Sequence, residues 1–259
     1  MKNLKKLPII ISILSLFTFF LPANADIKVV ASIKPIHSLA SYLMNGVAKP
    51  DLIVDGYASP HGFAMKPSHA KMLQNADLIF WVGEDVENFL EKPLGSIAKK
   101  AEKIELMQIK GLQVLKFRER NIFDDHDDHG HDDHDKKEDH DSHAKKEDHD
   151  VHEGHAHGEF DPHIWLDPIN AKVILFEMSK HLIENDPKNE KIYRDNLSKG
   201  YKEIDKLTKD VSSELSNNVA SIVFHDAYQY FEKRFSVNIL GAFTAVSYTH
   251  LTLPTTPYV

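Results

Sequence analysis

Between residues 27 and 108, short and almost wholly apolar runs alternate with amphipathic stretches, and this alternation constrains the fold more than any single motif. The runs at 27–32 (IKVVAS), 51–55 (DLIVD), 76–83 (ADLIFWVG) and 103–108 read as strands. Between them, 35–45, 67–75 and 86–100 read as helices, the first opened by Pro35 and closed by Gly46, the last interrupted at 93–95. Strand and helix in turn imply right-handed crossovers and an α/β fold with mostly parallel sheets. Ligands of such sheets gather where the carboxyl ends of strands open into loops.

The second half keeps the alternation but changes its scale. Asp167-Pro168 is an N-cap and first-turn pair that starts a helix ending near Asn185, with Ile169, Val173, Phe176 and Ile183 as its expected apolar face. Asp186-Pro187 repeats the signal and opens a polar helix reaching about Asn217, with Tyr193, Leu197, Ile204, Leu207, Val211 and Leu215 as a narrow stripe. Near thirty residues of helix span ~45 Å, which suits a rigid strut between two lobes. A strand at 220–224, a helix at 227–235 and a strand at 237–243 follow. That is too little chain for an independent core, so the second lobe reads as incomplete. The last residues, 246–259 (VSYTHLTLPTTPYV), continue neither pattern and read as a non-native tail.

Composition narrows the class. The absence of cysteine excludes disulfide frameworks, thiol catalysis and thiolate metal sites. The formal charge of −8 gives no basic footprint for nucleic acid. Residues 124–159 alone carry −11 and the first 25 residues +3, so the rest of the chain is neutral. Lys2, Lys5 and Lys6 precede an apolar run at 7–21 and the small-residue site Ala23-Asn24-Ala25. This is the pattern of a cleaved secretory signal, and the run is shorter than the ~20 residues a membrane span needs. The expected organisation is a signal peptide at 1–25, an N-terminal lobe at 26–185, a linking helix at 186–217, a partial C-terminal lobe at 218–245 and the tail at 246–259. An exported, periplasmic protein follows.

Of the 17 histidines, three outside the acidic segment sit at or just past expected strand ends: His61 in ASPHG, His163 in FDPHIWLDP and His225 in IVFHD. In an α/β architecture these positions can converge in one cleft. Three neutral imidazoles form a borderline donor set suited to zinc and leave one coordination position open. Taken singly, each also reads as a partly buried, hydrogen-bonded histidine. Asp161 and Asp226 flank two of them, either orienting a ring through its second nitrogen or acting as turn and cap residues.

The segments IKPIHSLA (33–40), SPHGFAMKPS (59–68), FDPHIWLDP (160–168) and VFHDAYQYFEKRF (223–235) resemble the zinc-binding periplasmic proteins of ABC importers, the ZnuA type, over roughly residues 26–244. The resemblance implies a two-lobed solute-binding protein bridged by a long rigid helix, with metal between the lobes. It implies His61, His163 and His225 as ligands, a zinc ion as the transported cargo, an ABC permease as the partner, a monomer, and no enzymatic activity. Manganese-binding relatives carry a carboxylate where His225 stands, and imidazole in place of hard oxygen moves preference toward zinc. Pro60 stands where some zinc members have glutamate, and the fourth ligand stays unassigned. The rival readings are a secreted zinc-dependent hydrolase and a manganese-binding or adhesin member of the same fold.

The acidic segment at about 121–159 holds ten further histidines: His126, His129, His131, His134, His140, His143, His149, His152, His155 and His157. Such a composition cannot bury enough apolar surface to offset ordering, so a disordered loop is expected, with weak, overlapping metal sites. It either gathers or senses zinc, or is a dispensable insert. His129–His134 matches an HxHxDH hydrolase pattern that a His/Asp-rich stretch produces by chance. His37 reads as packing or capping, and His69 and His181 as surface residues. Since zinc requires neutral imidazoles, affinity is expected to fall below pH ~6.5, the ordinary histidine value.

Overall fold

The computed structural model describes residues 26–118, 159–215 and 220–244. The expected signal, most of the acidic loop and the tail with His250 lie outside the described residues. Among the described residues, no helix is long and apolar enough to cross a membrane.

The first lobe is built as the alternation requires. Strands β1 (Val29–Ala31), β2 (Asp51–Leu52), β3 (Leu78–Trp81) and β4 (Glu102–Glu105) form one parallel sheet in the order β2-β1-β3-β4. Ala31 lies beside both Leu52 and Phe80, which fixes the register at the carboxyl ends. Val29, Val30, Ala31, Leu78, Ile79 and Phe80 are at most 1% exposed. A parallel sheet is covered on both faces, so its inner strands are apolar throughout rather than alternating. The intervening helices are α1 (Lys34–Leu43), α2 (Pro67–Asn75) and α3 (Glu84–Ser96).

In α3 the irregularity falls elsewhere than expected. Pro93 lies within the helix, and the non-helical backbone is at Glu87 (φ −120°, ψ 53°). The wholly buried Glu87 carboxylate turns back to accept the N–H groups of Val82 (3.3 Å) and Gly83 (3.0 Å) and the hydroxyl of Ser32. Burial outweighs these donors and pushes its pKa up to about 7 from an ordinary 4.5. The folded state therefore binds a proton that the unfolded chain releases between these values, and stability is lost as pH rises through 7. Glu87→Gln removes that titration, so its melting temperature relative to wild type should climb from pH 5 to pH 8. The expected change is up to about 3 kcal/mol. A difference independent of pH in circular-dichroism melts would refute the assignment.

Helix α4 (Pro168–Asn185) starts at the Asp167 cap, whose carboxylate accepts the Ile169 N–H at 2.8 Å. Its buried face is Ala171, Ile174, Leu175, Met178 and Leu182, whereas Ile169 and Phe176 are exposed. Of the expected face, Ile169 and Phe176 are thus solvent-exposed while Ile183 packs partly buried against the core: the helix carries apolar residues around most of its circumference, and packing selects among them. After a 3-10 turn at Pro187–Asn189, α5 (Glu190–Glu214) runs 25 residues, or ~37 Å. It begins a little later than the expected strut. Its first half packs on α1 and α4. There Asn196 donates to the carbonyls of Leu43 (2.8 Å) and Asn45 (2.9 Å), tying down the end of α1. A Cβ at Gly200 would lie 3.2 Å from Leu175 Cδ1 and 3.3 Å from the Tyr42 ring, so glycine permits that close approach. Farther along, Leu207 and Leu215 of the expected stripe are exposed.

Beyond the strut, β5 (Ala220–His225), α6 (Gln229–Phe235) and β6 (Asn238–Thr244) make one βαβ unit with the two strands parallel. It forms the described part of the second lobe and places the carboxyl end of β5 opposite those of the first sheet.

Candidate metal centre

Of the three histidines, two stand on loops of the first lobe and one ends a strand of the second. His61 lies in the loop between β2 and α2, where its backbone N–H donates to the Ser59 hydroxyl at 3.2 Å. Gly62 follows at φ 83°, a conformation that glycine adopts without a Cβ penalty and that lets the chain turn away. His163 immediately precedes a 3-10 helix at Ile164–Leu166, and His225 is the last residue of β5.

The fold brings all three together. Ring centroids lie 6.3 Å apart for His61 and His163, 5.7 Å for His61 and His225, and 5.4 Å for His163 and His225. One nitrogen from each falls within 4.8 Å of the others, close enough to hold one metal ion. They open onto a cavity of about 770 Å³ whose wall includes Lys34, Val86, Asn88, Trp165 and Phe224.

The electrostatics disfavour protonation of two of the rings, His61 and His225. Burial, then repulsion from His163 and His225, pulls the pKa of His61 down to about 4. Burial and His163 lower that of His225, against the opposing pull of Asp226 and Asp161. His163 is 4% exposed, and Asp161 Oδ1 accepts its backbone N–H at 2.9 Å and faces its Nδ1 at 2.7 Å. A proton on Nδ1 shared with this carboxylate leaves Nε2 as the free donor, the usual way a metal-binding histidine is oriented. Of the two roles open to Asp161 in the sequence, the ring-orienting one is present. Asp226 instead lies 3.7 Å from Arg118 Nε.

The remaining histidines divide differently from expectation. His37 Nε2 is 3.0 Å from the Pro50 carbonyl, a packing role. His69 is buried, not a surface residue: its Nδ1 accepts the Lys66 N–H at 3.2 Å and its ring stacks on Phe63. His181, also expected at the surface, is largely buried among Glu102, Glu177 and Glu184, with Nδ1 2.8 Å from Glu102 and Nε2 3.1 Å from Glu177. Glu177 and Glu184 were legible as helical neighbours at i−4 and i+3, but Glu102 comes from β4, which helical spacing could not reveal. The ten histidines of the acidic loop lie outside the described residues. The stems of that loop are joined, however: Lys116 and Phe160 form an antiparallel bridge, and Asp161 N–H donates to Leu115 O at 2.8 Å. A long insert can thus leave the lobe beside His163 without disturbing it.

Two α/β lobes bridged by a long helix, with a histidine cluster between them, define the class of metal-binding solute-binding proteins. Residues 29–252 match the family model described as ZnuA, "Zinc-uptake complex component A periplasmic". A high-affinity zinc uptake system protein ZnuA from Brucella abortus is 42% identical over 252 residues, covering 94% of this chain and 75% of that protein. The chain belongs to the ZnuA family. Among solved structures, a zinc-bound deletion mutant of ZnuA superimposes with a TM-score of 0.63 at 20% identity, over 85% of this chain and 71% of that one. A manganese-bound periplasmic metal-binding protein from Candidatus Liberibacter asiaticus gives 0.60 at 18% identity, over 82% and 67% respectively. Zinc-bound and manganese-bound proteins thus share one fold, and the donor set has to decide the metal.

Proposed function

We propose that this protein is exported to the periplasm through a signal at residues 1–25, captures zinc on His61, His163 and His225, and delivers it to an ABC permease in the inner membrane. The observation that carries the reading is the meeting of three imidazole nitrogens within 4.8 Å, from segments about 100 and 60 residues apart in the chain. An all-nitrogen set favours zinc over the harder manganese ion. Three protein donors leave the ion an open position, through which cargo can enter and be passed on. Family membership and the name of the Brucella relative support zinc uptake as the setting.

The site is read as one of capture without turnover. Asp161, a buried carboxylate beside the ligands, is committed to both the backbone and the ring of His163 and is not placed to activate a water. A monomer is expected. Titration calorimetry of zinc against manganese tests the assignment: one tight zinc site with weak manganese competition is expected, and a preference for manganese would overturn the choice of metal.

The acidic loop is proposed to gather zinc near the cleft through weak sites that exchange freely. Deleting residues 124–157 should leave one tight equivalent of zinc and remove only the weaker ones, read by the same calorimetry. Loss of the tight equivalent would move the primary site into the loop.

A further inference from the structure

His225 belongs to the second lobe and His163 to the first, so their spacing depends on how the lobes are joined. Ala227 N–H donates to His225 O at 2.9 Å, a tight turn that couples His225 to α6. The next helical turn carries Tyr230, a second-lobe residue only 2% exposed. Its hydroxyl donates to the Asp161 carbonyl at 2.6 Å and accepts the Leu115 N–H at 3.1 Å. Asp161 is the residue whose carboxylate holds the His163 ring. One buried oxygen therefore closes a circuit from His225 through α6 to the peptide that orients His163.

The same helix is fastened farther out. Arg234 places Nε 2.8 Å and Nη2 2.7 Å from the two carboxylate oxygens of Asp167, and Gln229 donates to Lys116 O at 2.8 Å. Arg118 pairs with Glu232. Arg234, Gln229, Arg118 and Glu232 are partly solvated, Asp167 is buried, and together they set where α6 lies. Tyr230 alone among them reaches the Asp161 peptide.

We propose that the Tyr230 hydroxyl is a positioning group for zinc, holding His225 and His163 at ligating distance across the lobe boundary. This rests on the three-histidine reading above. Removing the hydroxyl leaves a buried carbonyl and a partly buried N–H without this partner, and the circuit opens without loss of any ligand. Outer groups that orient metal ligands are typically worth 10–100-fold in affinity.

The test compares wild type, Tyr230→Phe, Arg234→Gln and His225→Ala, each as the full chain. Zinc release to a chelator is followed by stopped flow, and the d–d spectrum of the Co²⁺ form is recorded with the melting temperature of the metal-free protein. Tyr230→Phe should still bind one tight equivalent but release it about tenfold faster, with a weakened Co²⁺ band. Arg234→Gln, which leaves the buried Asp167 carboxylate without its ion pair but keeps both bonds of the Tyr230 hydroxyl in place, should show a smaller acceleration in the same direction, whatever its melting temperature. Release rates and Co²⁺ spectra equal to wild type in both variants would overturn the proposal even if melting temperatures fell, because a purely structural bond would do only that. Failure of the zinc reading looks different: His225→Ala would then release zinc no faster than wild type.

Discussion

Replacing His225 by alanine is expected to weaken zinc binding by about two orders of magnitude. A four-ligand zinc site provides ~10–16 kcal/mol, or about 3 kcal/mol for each donor, and every ~1.4 kcal/mol is tenfold in Kd. The loss should not be recovered by repacking, because His225 ends β5 and the other two imidazoles stand on separate loops of the first lobe. His225→Asp should retain more binding than alanine and shift competition toward manganese, since a hard oxygen donor returns to the set. Calorimetry in both metals checks this. An unchanged zinc affinity in His225→Ala would remove the basis of the proposed function.

Zinc at a thousandfold excess over its Kd should raise the melting temperature by roughly 12 °C. Binding to the folded state alone contributes ~4 kcal/mol at that excess, and ~1 kcal/mol shifts a chain of this size by about 3 °C. The pH dependence follows from the depressed pKa values. With His61 held at about 4 and His225 below the ordinary range, protons compete with zinc only in more acidic solution than free imidazole would suggest. The zinc-induced shift should persist to lower pH than an ordinary imidazole would allow and should shrink as pH falls toward 4. For His61 and His225, burial and the neighbouring rings move titration below the ordinary 6.5 on which the expectation from composition rested. The metal-free protein should itself lose stability over that window. His61 stays neutral in the fold while the unfolded chain takes up a proton, so acid favours unfolding. A zinc shift already halved at pH 6.0 in scanning calorimetry would contradict this account.

Most of the architecture was legible because it rests on local chemistry. Apolar runs between helix-start signals fixed the strand and helix order, and Asp167-Pro168 marked the start of α4 to the residue. The three histidines stood out because each follows a strand or loop signal. Which face of α4 is buried was not legible, since its apolar residues encircle the helix and only the sheet and α5 choose among them. The break in α3 was misplaced for a related reason. Proline is a visible local signal at 93, whereas the distortion at Glu87 comes from a carboxylate satisfying Val82, Gly83 and Ser32, two of them on the preceding strand's end and one on another strand's end.

By itself, then, the sequence determined the α/β alternation, the strut and the donor chemistry, because strands, caps and imidazoles are properties of short segments. The tertiary structure alone decided that three distant rings share one point, that Asp161 turns His163 toward it, and that Tyr230 ties the lobes at that spot. The ring-to-ring and Tyr230–Asp161 distances join residues about 60 to 160 positions apart and are set by how the lobes pack, which no local pattern encodes. Asp161 and His163, by contrast, are two positions apart, and packing only chose between the two roles the sequence left open for Asp161.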